Sequence, residues 1–108
     1  MSDREATSYA VITDSTVTVT STEVVLGSDS KTFQAKGSTT AGAGAATIVI
    51  EATNDITWPW LTLGTLTLTL GTVATTDGLA VLASWKYVRA RLSAISGTGA
   101  KVSVAVGV

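Results

Sequence analysis

Along much of this chain, apolar side chains return at every second residue. Val17 and Val19 are spaced by threonines, Ile48, Ile50 and Ala52 share one parity, and Leu66, Leu68 and Leu70 alternate with Thr65, Thr67 and Thr69. Val88, Ala90, Leu92 and Ala94 form another such row, as do Val102, Val104 and Val106. A period of two places one face of a strand in a core and leaves the other outside. The residues between are largely threonine, whose branching at Cβ suits a pleated surface better than a helix. No segment combines helical periodicity with helix length.

Turn residues divide the pattern. The strand-like segments are Val11-Ile12, Thr16 to Thr20, Glu23 to Leu26, Lys31 to Lys36 around Phe33, Thr47 to Ala52, a leucine stretch from Leu61 to Leu70, and Leu79 to Leu82. Gly27 to Ser30, Asn54-Asp55 and Thr76-Asp77-Gly78 read as turns, and the Gly, Ser, Thr and Ala of Gly37 to Ala46 as a flexible loop. Leucine parity flips at Gly64-Thr65, as an inserted bulge residue or a tight turn would make it. Trp85 to Ile95 and Lys101 to Val106 flank Ser96-Gly97-Thr98-Gly99 and predict an antiparallel hairpin.

At 108 residues, 45% hydrophobic and 14% charged, the chain fits one domain with a modest core. The expectation is an all-β fold: a polar N-terminal arm over residues 1–9, then over 10–108 a single antiparallel β-sandwich or jelly roll of about seven to nine short strands. Met1-Ser2-Asp3-Arg4-Glu5 has no apolar run and predicts no signal peptide. No apolar stretch reaches transmembrane length, so neither a membrane nor a secretory route is expected.

The residue inventory bears on chemistry. There is no His and no Cys, which removes the usual neutral-pH acid–base group, both common nucleophilic arrangements and soft or imidazole metal ligation. Asp14, Asp55 and Asp77 stand beside Ser, Thr, Asn or Gly, where an Asp side chain serves turn geometry. Gly42-Ala43-Gly44 and Gly97-Thr98-Gly99 precede no helix and so lack phosphate-binding physics. The net charge of −1 offers nothing to nucleic acid. The expectation is therefore no enzyme, no cofactor and no metal, but a protein that binds other proteins.

Seven residues are candidates for that contact. With Val88, Ala90 and Leu92 in the core, the odd face of the strand holds Trp85, Tyr87, Arg89 and Arg91, the residue types that dominate interfaces. Every acid lies at or before Asp77, and the charges beyond it are Lys86, Arg89, Arg91 and Lys101, which suggests a basic C-terminal sheet. Trp58 and Trp60 flank Pro59 and lie on one side if extended, fit to stack on a sugar or to anchor a subunit; alternatively, one of them is core. Arg4, in the arm, is the seventh.

A resemblance adds to this reading. Thr32-Phe33-Gln34-Ala35, the Gly/Ala/Thr stretch, Thr47-Ile48-Val49-Ile50-Glu51-Ala52 and Trp58 are followed by Leu63-Gly64-Thr65-Leu66-Thr67-Leu68, Asp77-Gly78, Trp85-Lys86-Tyr87-Val88-Arg89-Ala90 and Ile95-Ser96-Gly97-Thr98-Gly99-Ala100. This succession, over roughly residues 30 to 108, resembles small β-sandwich virion proteins of tailed bacteriophages, in particular head decoration (cement) proteins. The resemblance implies a structural protein made in the host cytoplasm and placed on the capsid surface, as a homotrimer clamping major capsid protein subunits, with the arm reaching a neighbour. A tail, neck or fibre component, or a carbohydrate- or receptor-binding sandwich, is the alternative expectation.

Overall fold

The computed structural model describes residues 8–21, 31–81 and 85–107. Eight strands make up most of them: β1 (Ser8–Ser15), β2 (Val19–Thr20), β3 (Lys31–Ser38), β4 (Ala41–Thr53), β5 (Leu61–Leu70), β6 (Thr75–Val81), β7 (Tyr87–Thr98) and β8 (Lys101–Gly107). They form two four-stranded sheets, ordered β1-β8-β3-β6 and β2-β7-β4-β5, and every pairing is antiparallel. The chain is a β-sandwich.

The pairing is nested. β4 pairs with β5, β3 with β6, β2 with β7 and β1 with β8, as in one long hairpin bent at the β4–β5 connection. Rolling that hairpin over brings β8 beside β3 and β7 beside β4. This is the strand order of an eight-stranded jelly roll, not of an immunoglobulin-like sandwich.

Period-two rows meet between the sheets. Ile48, Ile50 and Ala52, Leu66, Leu68 and Leu70, and Val88, Ala90 and Leu92 come from one sheet; Ile12, Phe33, Ala35, Val102, Val104 and Val106 come from the other, and all are buried. Burying each large aliphatic side chain stabilises the fold by about 1.5–3 kcal/mol. Among the described residues no buried side-chain nitrogen or oxygen lacks a hydrogen-bond partner.

The leucine parity flip is a bulge. Ile50 pairs with Gly64 but Glu51 with Thr62, so Leu63 is the extra residue. Leu63 packs against the core while Leu61 stays exposed. A Cβ on Gly64 would lie 2.4 Å from Leu79 Cδ2, so β6 closes over β5 at that glycine. A second bulge was invisible in the alternation. Thr47 pairs with Ala94 and Ile48 with Leu92, which leaves Ser93 extra, turns Ala94 outward and brings Ile95 against the core.

Other expectations need correction. The supposed hairpin of β7 and β8 is a corner: the two strands lie in different sheets, and Gly97 and Gly99 take φ of 120° and 65° at the crossing. Two rows that face each other across a core have the same pattern as two rows that pair. Gly37 to Ala46 is not a loop but the end of β3 and the start of β4. Its small residues serve close approach, since a Cβ on Gly44 would meet Ser96 O of β7 at 2.2 Å. Thr76-Asp77-Gly78 lies inside β6, paired to Lys36, Ala35 and Gln34; the Asp77 carboxylate accepts from Gly78 N at 2.8 Å within the strand. Val17 is exposed and β2 has only two residues, so Thr16 to Thr20 is not a core strand. The strand at Glu23 to Leu26, the turn at Gly27 to Ser30, Leu82 and the arm up to residue 7 lie outside the described residues; Ser8 and Tyr9, assigned to the arm, belong to β1.

Gly44→Ala should cost about 1–3 kcal/mol, because the obstructing atom is backbone and cannot rotate away. Gly71→Ala should be close to neutral, since a Cβ there meets nothing within 4 Å. Urea unfolding midpoints at unchanged m-value measure both.

Candidate interaction surface

The bend of the long hairpin, residues 54–60, is an apolar tip. Ile56 is 47% exposed, Trp58 64% and Leu61, the first residue of β5, 54%. Large side chains this exposed on one short connection mark a contact surface, whereas scattered ones would not.

Asp55 organises the tip. Its Oδ1 accepts from Thr57 N at 2.9 Å and Thr57 Oγ1 at 2.7 Å, and its carbonyl accepts from Trp58 N at 2.9 Å. Thr53 Oγ1 donates to the same carbonyl at 2.8 Å, and Asp55 N donates to Thr53 Oγ1 at 3.2 Å. Lys86 N donates to Asn54 Oδ1 at 3.1 Å, which ties the tip to the segment entering β7. The Asp55 carboxyl is held below its ordinary 3.8, first by the Thr57 backbone N–H, then by the Thr57 hydroxyl, with a smaller contribution from the Lys86 charge. The tip is thus pre-organised, which lowers the entropy lost on docking.

Beneath it, the outer face of the β2-β7-β4-β5 sheet carries a shared ion pair. With Ile50 and Ala52 inward, Glu51 points outward, and register sets it opposite Arg89. Arg89 Nε donates to Glu51 Oε1 at 2.8 Å and Arg91 Nε to Oε2 at 3.3 Å. Glu51 is only 7% exposed. The Trp60 ring lies over the Arg89 guanidinium, 4.0 Å from Cζ to centroid, a cation–π contact that also shields the pair from water.

The candidates from sequence separate here. Trp58 is at the apex of the tip, but Trp60 is stacked on Arg89, and neither is among the core residues. Trp85 precedes β7 and packs partly against the core, so it does not share a face with the arginines. Tyr87 opens β7 opposite Thr53, with Lys86 Nζ 5.5 Å from its ring centroid. Arg89 and Arg91 are held by one carboxylate rather than solvated or free. Lys101 lies in the other sheet, so the late cations do not form one basic sheet. Arg4 lies outside the described residues. Three contributors were not anticipated: Glu51, whose role depends on a cross-strand register that pattern does not reveal, and Ile56 and Leu61. The spacing Ile56-x-Trp58-x-x-Leu61 around Pro59, in a turn, was the signal for those two.

Arg89→Ala should destabilise by about 1–3 kcal/mol, discounted from the cost of breaking a fully buried pair because the arginine is 24% exposed. Arg91→Ala should cost less, since its contact is longer and its side chain 39% exposed. Chemical denaturation ranks the two. The Asp55 contacts are present above the ordinary carboxylate range and are lost as pH falls through the lowered value. The Thr57 amide resonance should therefore titrate with a midpoint below 3.8 in the intact protein, and the transition should vanish in Asp55→Ala.

Compared with protein-family models, curated proteins and solved structures, the chain matches none.

Proposed function

We propose that this chain is a structural virion protein of a tailed bacteriophage, a head decoration protein that stabilises the shell by contact alone. The observation that carries this reading is the braced tip, with Ile56, Trp58 and Leu61 presented to the outside on a hydrogen-bonded frame. An exposed apolar arrangement on a rigid frame is suited to being covered by another protein surface. The resemblance of roughly residues 30 to 108 to cement proteins supplies the setting, and a jelly roll is in keeping with it by fold-level analogy only. Among the described carboxylates only Glu51 is buried, and it is committed to two arginines, so a facing acid pair does not compete for this reading.

Purified protein mixed with undecorated capsids should bind and raise the temperature at which they rupture. Trp58→Ala should weaken binding by about thirtyfold or more, the loss expected of a central aromatic anchor. Binding with no gain in heat resistance would refute the decoration role, and glycan-array binding that depends on Trp58 would favour a receptor-binding module instead.

A further inference from the structure

The outermost strands of a sheet keep a row of N–H and C=O groups that no neighbour pairs. Among the described residues those strands are β1 and β6 in one sheet and β2 and β5 in the other. Three of them are blunted. β1 is broken by two register shifts, with Asp14 at φ 46° in one of them. β2 has only two residues. β6 carries Asp77, whose carboxylate accepts from Gly78 N at 2.8 Å. β5 is the exception: ten residues without a charge or a proline, regularly paired from Gly64 to Leu70.

Cross-strand hydrogen bonds fix which groups of β5 face outward. Ala90 N donates to Ser21 Oγ at 3.0 Å and Ser21 N to Ala90 O at 2.8 Å, so Ala90 turns away from β4. Its β4 partner Ile50 therefore bonds to β5, at Gly64. Thr47 O accepts from Ser93 Oγ of β7 at 3.2 Å, so Thr47 turns away from its β5 partner Thr67. Both observations give one parity: Thr65, Thr67 and Thr69 aim their N–H and C=O groups at the open edge. Thr69 O accepts from Thr75 Oγ1 at 3.1 Å; among the described residues no hydrogen bond reaches the outward groups of Thr65 and Thr67.

We propose that this edge receives an extended, uncharged segment of the protein that the tip binds, added to the β2-β7-β4-β5 sheet as a fifth strand. This rests on the reading of the tip as a protein-binding surface and extends that surface along β5. Donors and acceptors repeating at strand spacing are matched in register by another extended backbone, which defines the ligand class. The flanking side chains define its composition. Thr65, Thr67 and Thr69 are exposed, and a charged residue set beside them would lose water with no counter-ion on the adjacent strand. Continuity names the partner. Leu61 is both the first residue of β5 and an exposed part of the tip, so a segment leaving the edge at that end passes into the tip's contact surface. A second copy paired edge to edge about a two-fold axis would set the two tips at opposite ends and leave both uncovered.

The test is amide hydrogen exchange in the free protein and on undecorated capsids saturated with it. In the free protein the amides of Thr65 and Thr67 should exchange rapidly, while those of Leu66 and Leu68, which bond to β4, stay protected. On capsids, exchange at Thr65 and Thr67 should slow at least about tenfold. Thr67→Pro removes an outward N–H and obstructs the edge but spares the ladder to β4, and should weaken capsid binding at least about tenfold. Thr67→Lys, which sets a charge on the edge, takes its place if the proline variant fails to fold by circular dichroism. Edge amides that stay fast on capsids, or full binding by the variant, would overturn the proposal. So would edge protection in the free protein, whether constant or rising with concentration as a second copy would make it. Capsid binding that depends on Trp58 with the edge still open would refute the fifth strand and leave the decoration role standing; no capsid binding at all would refute both.

Discussion

Two sheets packed face to face across a core of Val, Leu, Ile and Ala, with Phe33 the one fully buried aromatic among the described residues, impose most of what this molecule does. Facing sheets stand roughly 10 Å apart, so inward side chains must interdigitate and strands must keep their parity. Where chain length would break parity, a residue is set aside: Leu63 in β5 and Ser93 in β7. Where chains come closer than a side chain permits, glycine stands, as at Gly44 against β7 and Gly64 beneath Leu79. Bulges and glycines are thus consequences of the same packing requirement.

Once parity is fixed inside, it is fixed outside, and the two outer faces differ. On the β2-β7-β4-β5 sheet, long charged residues cover their own backbone and each other, with Glu51 between Arg89 and Arg91. On the β1-β8-β3-β6 sheet, Ala10, Ser103 and Ala105 leave a hollow. A solvated sheet face gains solubility from long charged residues and nothing from bare alanines. The hollow is bordered by polar side chains, among them Asp14, Gln34, Lys36 and Thr76.

How much of this could be read in the chain depends on range. Most inward rows and the turn at Asn54-Asp55 follow from neighbours in sequence and were legible, although Val17, Val19 and Ala94 do not face the core; at Gly64 the parity flip was legible, but not whether a bulge or a tight turn made it. The corner at Gly97 to Gly99 was not, because Val88 to Leu92 and Val102 to Val106 have the same alternation whether they pair or face each other. The extended stretch at Ala41 to Ala46 looked like a loop because close backbone approach selects the same small residues that flexibility does. For the contact surface, Trp58 and the arginines were visible as residue types, but their separation was not. That Trp60 stacks on Arg89 while Trp85 packs against the core follows from register and strand ends, which belong to the three-dimensional pairing.

The shared ion pair is best understood as a device for orientation. Taking Glu51 out of water costs free energy that two partly exposed arginines only partly offset, and an apolar trio would serve stability as well. What an apolar trio would lack is direction. A carboxylate with one guanidinium on each oxygen accepts a single arrangement of β4 against β7, and it does so next to the bulge that ends the inward parity of β5. Arg89, so held, offers its flat face to Trp60. Trp60 in turn holds the chain down on the sheet two residues beyond Trp58. With the Asp55 hydrogen bonds anchoring the other side, Ile56, Thr57 and Trp58 are pinned at both ends. The Glu51–Arg89–Trp60 stack thus connects the register of the core strands to the position of the chain two residues beyond the exposed Trp58.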